Sequence, residues 1–380
     1  MAESTCQYEI LRKICAAVLC ETASPEDVPA SFAVNALALA ERHRVVPLLA
    51  AGAPAGLRES LRRRQLALAQ QTVRLEHELA GIARLWADAG IEYLVLKGPA
   101  LARQAYAKPE WRCYDDVDLW VESVDLPEAI RVLNQAGYRR TQELKDSAAA
   151  CAQRAGIEVA LRHPERGRLI EVSHGWCALA PCESAASAMK EAGISLRIAG
   201  AAVRVLAPVH SLLFVCAHGA HHRWDRLSWV ADVAGLWRRM TPEEQEQVVA
   251  CARAWRVESA LGIGLRLAAE QLGVELSGTG AEWATSPRVR ALVERVQLEK
   301  IGPDTLRVSM IERLQFERDV QDSSWRRWQT VARWIFQPTL GDLEAVPLPA
   351  LGFPLYGLIR PVRLLLHPWR GEWRSLIWRG

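Results

Sequence analysis

The segment Arg112-Cys-Tyr-Asp-Asp-Val-Asp-Leu-Trp-Val121 sets two carboxylates, Asp116 and Asp118, two residues apart in a β-prone run. On a strand, residues i and i+2 share a face, so the two acids lie side by side while Val117 and Leu119 point into a core. Adjacent carboxylates repel each other, and such a pair is stable mainly when a divalent cation neutralises it. Mg²⁺ suits the pair, because it takes a few carboxylates and completes its octahedron with water and phosphate oxygens. Upstream, a β-run over 91–96 ends in Lys97-Gly98-Pro99. Glycine there permits close backbone approach to a phosphate, and lysine supplies a point charge for it. Downstream, Arg168-Leu-Ile-Glu-Val-Ser173 offers Glu171 as a third carboxylate from a neighbouring strand, with Glu158 on the preceding run in reserve. An isolated acid pair is a weak signal. Its combination with a phosphate turn and a third acid is much rarer.

A second group is helical. His218 and His222 are four residues apart and share one helix face, with His221 beside them and Asp225 just beyond. No glutamate follows His218 as a metalloprotease pattern requires, so zinc is the weakest reading. Two others stay open. These residues line the cleft facing the strand acids and touch nucleotide or acceptor, or His218, Trp224 and Asp232 form a network that fixes helix packing. His174 divides similarly, its functional role being to orient the third acid.

The elements that must position these groups follow from periodicity. Apolar spacing of three and four predicts helices from about residue 7 to 90, with a helix start at Ser24-Pro25-Glu26-Asp27. Four arginines between 58 and 64 read as a solvated helix face. A helix is expected over 100–106 and another over 126–136, closed by Gly137. β-runs are expected at 117–121, 157–161 and 168–173, then a hairpin of 194–198 and 202–206 around Ala199-Gly200-Ala201. Helical period returns at 210–218, 227–237, 242–255 and 258–272. Tryptophans 224, 229 and 237 are spaced as core positions of these helices.

From Ser323 onward there are eight Lys/Arg against three Asp/Glu and six of the fifteen tryptophans, broken by prolines. Short apolar helices and turns packed on the body are expected there. Trp369, Trp373 and Trp378 alternate with Arg370, Arg374 and Arg379, a mixture that suits an amphipathic helix docked on its own protein, a membrane interface or an anionic partner.

Half of the 380 residues are hydrophobic and 24% are charged, a globular composition, and a net charge of +3 marks no nucleic-acid binder. The nine cysteines include no CxxC pair and fit reduced thiols of a cytoplasmic protein. The first residues lack a secretory pattern, and the apolar runs fall short of the roughly 20 residues that span a bilayer.

The order Leu94-Val-Leu-Lys-Gly-Pro-Ala-Leu101, Tyr106, Arg112, Asp115-Asp-Val-Asp-Leu-Trp-Val121 and Gly137-Tyr138 resembles the uncharacterised nucleotidyltransferase family of bacteria, a branch of the DNA polymerase beta-like superfamily. The likeness continues through Glu171-Val-Ser-His174-Gly-Trp176 and the stretch from Ala217 to Asp232, and near the C-terminus at Pro338-Thr339, Asp342, Leu348-Pro349 and Arg360-Pro361. Superfamily members have a glycine-serine pair where this chain has Gly98-Pro99, and their third acid is commonly aspartate.

The resemblance implies two-metal chemistry. Asp116, Asp118 and Glu171 hold Mg²⁺ or Mn²⁺, Lys97, Gly98 and Arg112 take the nucleotide's phosphates, and His174, His218, His222 and Asp232 line the cleft. Asp115 points off that face and reads as a neighbour or cap.

The expected architecture is α+β: a helical N-terminal region (1–87), a small mixed-sheet nucleotidyltransferase core (88–207), a helical domain (208–322) and a Trp/Arg/Pro-rich segment (323–380). The expected function is transfer of a nucleotidyl group, AMP from ATP, to a hydroxyl or phosphate acceptor, with pyrophosphate released. A sugar, a small molecule, a peptide natural product and a protein all fit as acceptor. The competing readings are a catalytically silent nucleotide- or partner-binding relative, and a peripheral membrane or assembly protein acting through its Trp/Arg tail.

Overall fold

The computed structural model describes residues 2–23, 28–142, 146–175, 183–296 and 310–366. Four helices open the chain: α1 (Ala2–Cys20), α2 (Ala30–Arg42), α3 (Val46–Gly52) and α4 (Ala55–Asp88). The helix start expected at Ser24 to Asp27 lies outside the described residues. The two halves of α4 serve different cores. Leu57, Leu61 and Leu68 join the helical core, whereas Leu75, Leu79, Ile82 and Trp86 pack under the sheet.

That sheet is mixed and seven-stranded among the described residues, in the order β3-β4-β5-β2-β1-β7-β6. The strands are β1 (Tyr93–Val95), β2 (Asp116–Val121), β3 (Arg139–Arg140), β4 (Val159–Arg162), β5 (Leu169–Ser173), β6 (Ile194–Ile198) and β7 (Ala201–Val205). Helices α5 (Pro99–Ala105), α6 (Leu126–Gln135), α7 (Asp146–Arg154) and α8 (Glu183–Glu191) lie between them. The fold is α+β, as expected. β3, α7 and α8 had no clear sequence signal: two arginines carry no period, and nine residues rich in alanine and polar side chains carry little. The hairpin turn is two residues, not three. Ala199 and Gly200 have φ of 44° and 80°, the left-handed pair that matches strand twist, so β7 starts one residue early.

The two faces of the sheet meet different partners. Val95, Val117, Leu119, Ile170 and Val172 pack with the second half of α4 and with α6. Leu94, Leu96 and Trp120 point the other way, into the helical core. That core is built by α9 (Pro208–His221), α10 (Leu227–Arg239), α11 (Pro242–Trp255) and α12 (Glu258–Leu272), with α1–α3 packed on them. α13 (Gly278–Thr285), α14 (Pro287–Val293) and α15 (Met310–Val320) complete it. At Gly235 of α10 a Cβ would sit 2.1 Å from the Ala105 carbonyl oxygen at the end of α5. Only glycine allows that approach.

The C-terminal part is short helices, as expected: α16 (Ser324–Phe336), α17 (Leu340–Ala345), a 3-10 turn (Ala350–Leu355) and α18 (Tyr356–Leu366). Trp369, Trp373 and Trp378 lie outside the described residues. Asp342 holds this part together. It accepts hydrogen bonds from the Thr339 amide and hydroxyl at 2.8 and 2.7 Å and from Arg360 and Arg363 at 2.7 and 2.6 Å. Burial would raise its carboxyl, but the Thr339 bonds and the Arg360 guanidinium outweigh burial and hold it below the ordinary value.

A depressed folded-state value has a definite sign. Its stabilisation is present above the unfolded pKa of about 4 and is lost as pH falls through the lower folded value. Backbone amides of 324–366 are therefore expected to stay protected from hydrogen exchange at pH 5 and to lose protection steeply below about pH 4. Equal protection at pH 3 and pH 6 would contradict this role for Asp342.

Candidate active site

Asp116 and Asp118 begin β2 and share its helical-domain face, with Val117 and Leu119 buried on the other. β2 runs parallel to β5 in a register that sets Asp118 directly opposite Glu171 and Asp116 opposite Leu169. β5 in turn pairs antiparallel with β4, with Glu171 opposite Ala160. Alternation then puts Glu158, just before β4, on this same face and diagonal to Glu171. Four carboxylates thus gather at one end of the sheet. Asp118 and Glu171 are each only 8% exposed, whereas Glu158 is open to solvent.

Lys97 reaches into this group, its Nζ 2.9 Å from Asp118 Oδ1. Burial would lower its pKa, but Asp118, Asp116 and Glu171 outweigh burial and keep it charged. Burial and the neighbouring acids push Asp116 and Glu171 upward. For Glu171 the neighbours are Asp118, Asp116 and Glu158, in that order. The other oxygen of Asp118, Oδ2, is buried without a hydrogen-bond partner.

A hard divalent cation fits this donor set: crowded carboxylates with an excess of negative charge, and an orphaned oxygen among them. As the side chains stand, no three His, Cys, Asp or Glu among the described residues are grouped tightly enough to hold a metal. The ion pair with Lys97 occupies one Asp118 oxygen.

The phosphate turn has the backbone that its sequence requires. Gly98 has φ 58°, and a Cβ there would meet the Asp116 carbonyl oxygen at 3.4 Å. It is this φ that calls for glycine, since a Cβ at that distance makes an ordinary contact. Behind it stands Arg112, whose Nε and NH2 donate to Asp232 Oδ1 and Oδ2 at 2.8 and 3.0 Å. Its NH1 reaches the Gly98 carbonyl at 3.5 Å. Tyr106 also donates to Asp232 Oδ1, at 2.7 Å. Arg112, expected at the phosphates, and Asp232, expected in the cleft, are thus joined to each other in a nearly closed ion pair. Burial acting alone would lower Arg112, but the Asp232 carboxylate raises it further. The Gly235 contact brings α10 close enough to α5 for this pairing, because Asp232 lies one helical turn before it.

His218 and His222 lie 4.4 Å apart between ring centroids, tilted by 56°, and both contact Trp229, at 5.5 and 5.0 Å. Burial lowers both pKa values strongly, and the Lys97 charge contributes in each case. The pair is therefore neutral and within electrostatic reach of the acid face. His221 instead pairs with Glu317, Nδ1 to Oε1 at 3.0 Å. His174 Nε2 donates to the Gln153 carbonyl at 2.7 Å, tying the end of β5 to α7, and its Nδ1 is buried without a hydrogen-bond partner, so the ring makes no hydrogen bond to Glu171. Trp176 lies outside the described residues.

Asp115 turns away, to Arg44 at 2.8 Å and Gln71 at 2.7 Å. A cavity of about 310 Å³ between α6, α7 and β4 touches Glu158 but none of the other three acids, so it lies outside this site. Sequence reasoning gave no role to Gln71, Arg44 or Tyr106. Tyr106 alone had a signal, its place in the family-like order of motifs.

No curated protein matches the sequence. Among solved structures, the antibiotic-resistance factor ANT(2'')-Ia is 18% identical over 48% of this chain and 91% of that one, with a TM-score of 0.33. An antigenic nucleotidyltransferase-like protein from Paracoccidioides brasiliensis is 14% identical over 54% and 95%, with a TM-score of 0.32. The family model described as uncharacterised nucleotidyltransferase matches residues 33–273, which take in the carboxylate face, the Lys97-Gly98 turn, the Arg112–Asp232 pair and the helices through α12. The chain belongs to that nucleotidyltransferase family.

Proposed function

We propose that this chain moves a nucleotidyl group, AMP from ATP, onto an acceptor hydroxyl or phosphate and releases pyrophosphate. The observation that carries the reading is the register of β2 on β5, which sets Asp118 opposite Glu171 with Asp116 beside them and the Lys97-Gly98 turn alongside. Asp116, Asp118 and Glu171 would hold Mg²⁺ or Mn²⁺, with Glu158 close by. When bound, the cation offsets phosphate charge and lowers the pKa of the acceptor hydroxyl.

The remaining work belongs to the chain itself. Lys97 exchanges part of its contact with Asp118 for a phosphate oxygen, and Gly98 lets the backbone come within reach of the same group. Arg112, held by Asp232, steadies the Gly98 carbonyl from behind. The acceptor oxygen forms a bond to the α-phosphorus as the bond to the bridging oxygen of the leaving pyrophosphate breaks. The acceptor's proton passes to water as the new P–O bond forms, and Glu171 helps orient the acceptor oxygen.

A second reading, a nucleotide-binding relative without turnover, draws on the contact of Lys97 with Asp118, which leaves the acids unassembled for metal. One experiment separates the two. The purified chain is incubated with each α-labelled nucleoside triphosphate, Mg²⁺ or Mn²⁺ and a lysate of its source organism. Transfer predicts label on an acceptor with stoichiometric pyrophosphate. Saturable nucleotide binding with no label transferred would favour the silent relative.

A further inference from the structure

A surface helix normally turns its apolar stripe inward and its charges outward. α18 is apolar on both sides, with Tyr356 and Ile359 packed inward as well. Its buried side carries Tyr356 and Arg360, the latter ion-paired with buried Asp342. Its outward side carries Leu358, Val362, Leu365 and Leu366, at the i, i+4, i+7, i+8 spacing of a single stripe. Leu358 is 70% exposed and Leu365 80%. α16 packs against it, Arg360 Nε donating to the Trp334 carbonyl at 3.1 Å. This helix has an outward stripe of its own, with Trp325 70% and Trp328 71% exposed and Phe336 two turns further on. A lone exposed leucine needs no explanation, but two packed helices with outward apolar stripes do.

Charge decides what lies opposite. α16 carries Arg326, Arg327 and Arg333 and no acid. α18 carries Arg360 and Arg363, both engaged by Asp342, and no acid either. On the α16 stripe, Arg326 and Arg333 flank the tryptophans by helical spacing. The sequence that follows α18 keeps the same chemistry, with Trp369, Arg370, Trp373, Arg374, Trp378 and Arg379. A second copy docked symmetrically on this face would set arginines against arginines. Among the described residues no helix is long and apolar enough to cross a membrane, and α18 has 11 residues. A helix of this kind lies in the plane of an interface.

We propose that the outward faces of α16 and α18 bind the surface of an anionic lipid bilayer. Leu358, Val362, Leu365 and Leu366 enter the acyl boundary, Trp325 and Trp328 sit at headgroup level, and the flanking arginines meet lipid phosphates. This would hold the carboxylate site at a membrane surface, whatever its acceptor.

The test is flotation of the full chain with phosphatidylcholine vesicles, with or without about 30% phosphatidylserine. The chain is expected to float with the anionic vesicles, weakly with the neutral ones, and to release in part at high salt. Leu358→Glu with Leu365→Glu is expected to lower partitioning at least about tenfold, and Trp325→Ala with Trp328→Ala severalfold. Both pairs are exposed, so circular dichroism and Tm should not change. Three results would overturn the proposal: failure of the intact chain to float with anionic vesicles, equal flotation of both double variants, or a dimer that Leu358→Glu with Leu365→Glu dissociates while vesicles stay unbound. The last would assign the face to a second copy.

Discussion

Asp118→Asn is expected to lower nucleotidyl transfer by at least about a thousandfold while leaving a folded protein that still binds nucleotide. The substitution keeps the side-chain volume and an oxygen for Lys97 Nζ, which now lies 2.9 Å from Asp118 Oδ1. It removes the charge of the carboxylate that stands directly opposite Glu171 and keeps one buried oxygen unpartnered. Folding is not expected to suffer greatly, because loss of the ion pair with Lys97 is offset by relief of repulsion from Asp116 and Glu171. The adjacent residue is the control. Asp115 pairs with Arg44 in a half-exposed ion pair away from the acid face, so Asp115→Asn should leave transfer within about threefold of the parent. Label transfer, pyrophosphate release and Tm are measured for both. Transfer by Asp118→Asn at the parent's rate would remove the mechanism proposed for this site.

The second large effect is structural. Asp232→Asn should destabilise the chain by about 3–5 kcal/mol, because it leaves the Arg112 guanidinium buried without a counter-charge. Asparagine can accept from Arg112 or Tyr106 through its oxygen, but it cannot receive both edges of the guanidinium fork that Asp232 takes at 2.8 and 3.0 Å. By usual scaling for a chain of this length that is a fall in Tm of roughly 4–6 °C. Removing both charges, as in Arg112→Met with Asp232→Leu, should recover much of the loss, since no buried charge is then stranded. Thermal or urea unfolding of Arg112→Met, Asp232→Leu and the double variant gives the coupling directly. A Tm for Asp232→Asn within a degree or two of the parent would mean that water or another acid compensates Arg112. A KM for nucleotide that rises in Asp232→Asn more than kcat falls would tie the pair to the Gly98 turn.

Local chemistry was readable wherever it depends on residues close in sequence. The period of two put Asp116 and Asp118 on one face, and the structure keeps them there. Glycine between a lysine and a proline announced a tight turn, and Gly98 has the positive φ that this demands. Alternation in 194–205 gave the hairpin, and the periods of 208–272 gave four helices within a few residues of their ends. What was lost locally was short or weakly patterned. β3 is two residues, and the helices α7 and α8 have no apolar stripe long enough to register.

The sequence by itself therefore determined which side chains are available for phosphate and cation chemistry and how each lies on its own strand or helix. Tertiary structure decided which of them meet. Asp118 faces Glu171 only because β2 takes β5 as its parallel neighbour, a pairing that closes over more than fifty residues and slips every carboxylate to the other face if moved by one. Arg112 appeared free for phosphate until α10, brought close through Gly235, delivered Asp232 to it from 120 residues away.

α18 makes the same point in the opposite direction. Its apolar stripe is equally visible whether it faces inward or outward, because periodicity fixes the angle between residues and not the rotation of the helix. The rotation was set by Asp342, which draws Arg360 and Arg363 inward and leaves the leucines turned to the outside.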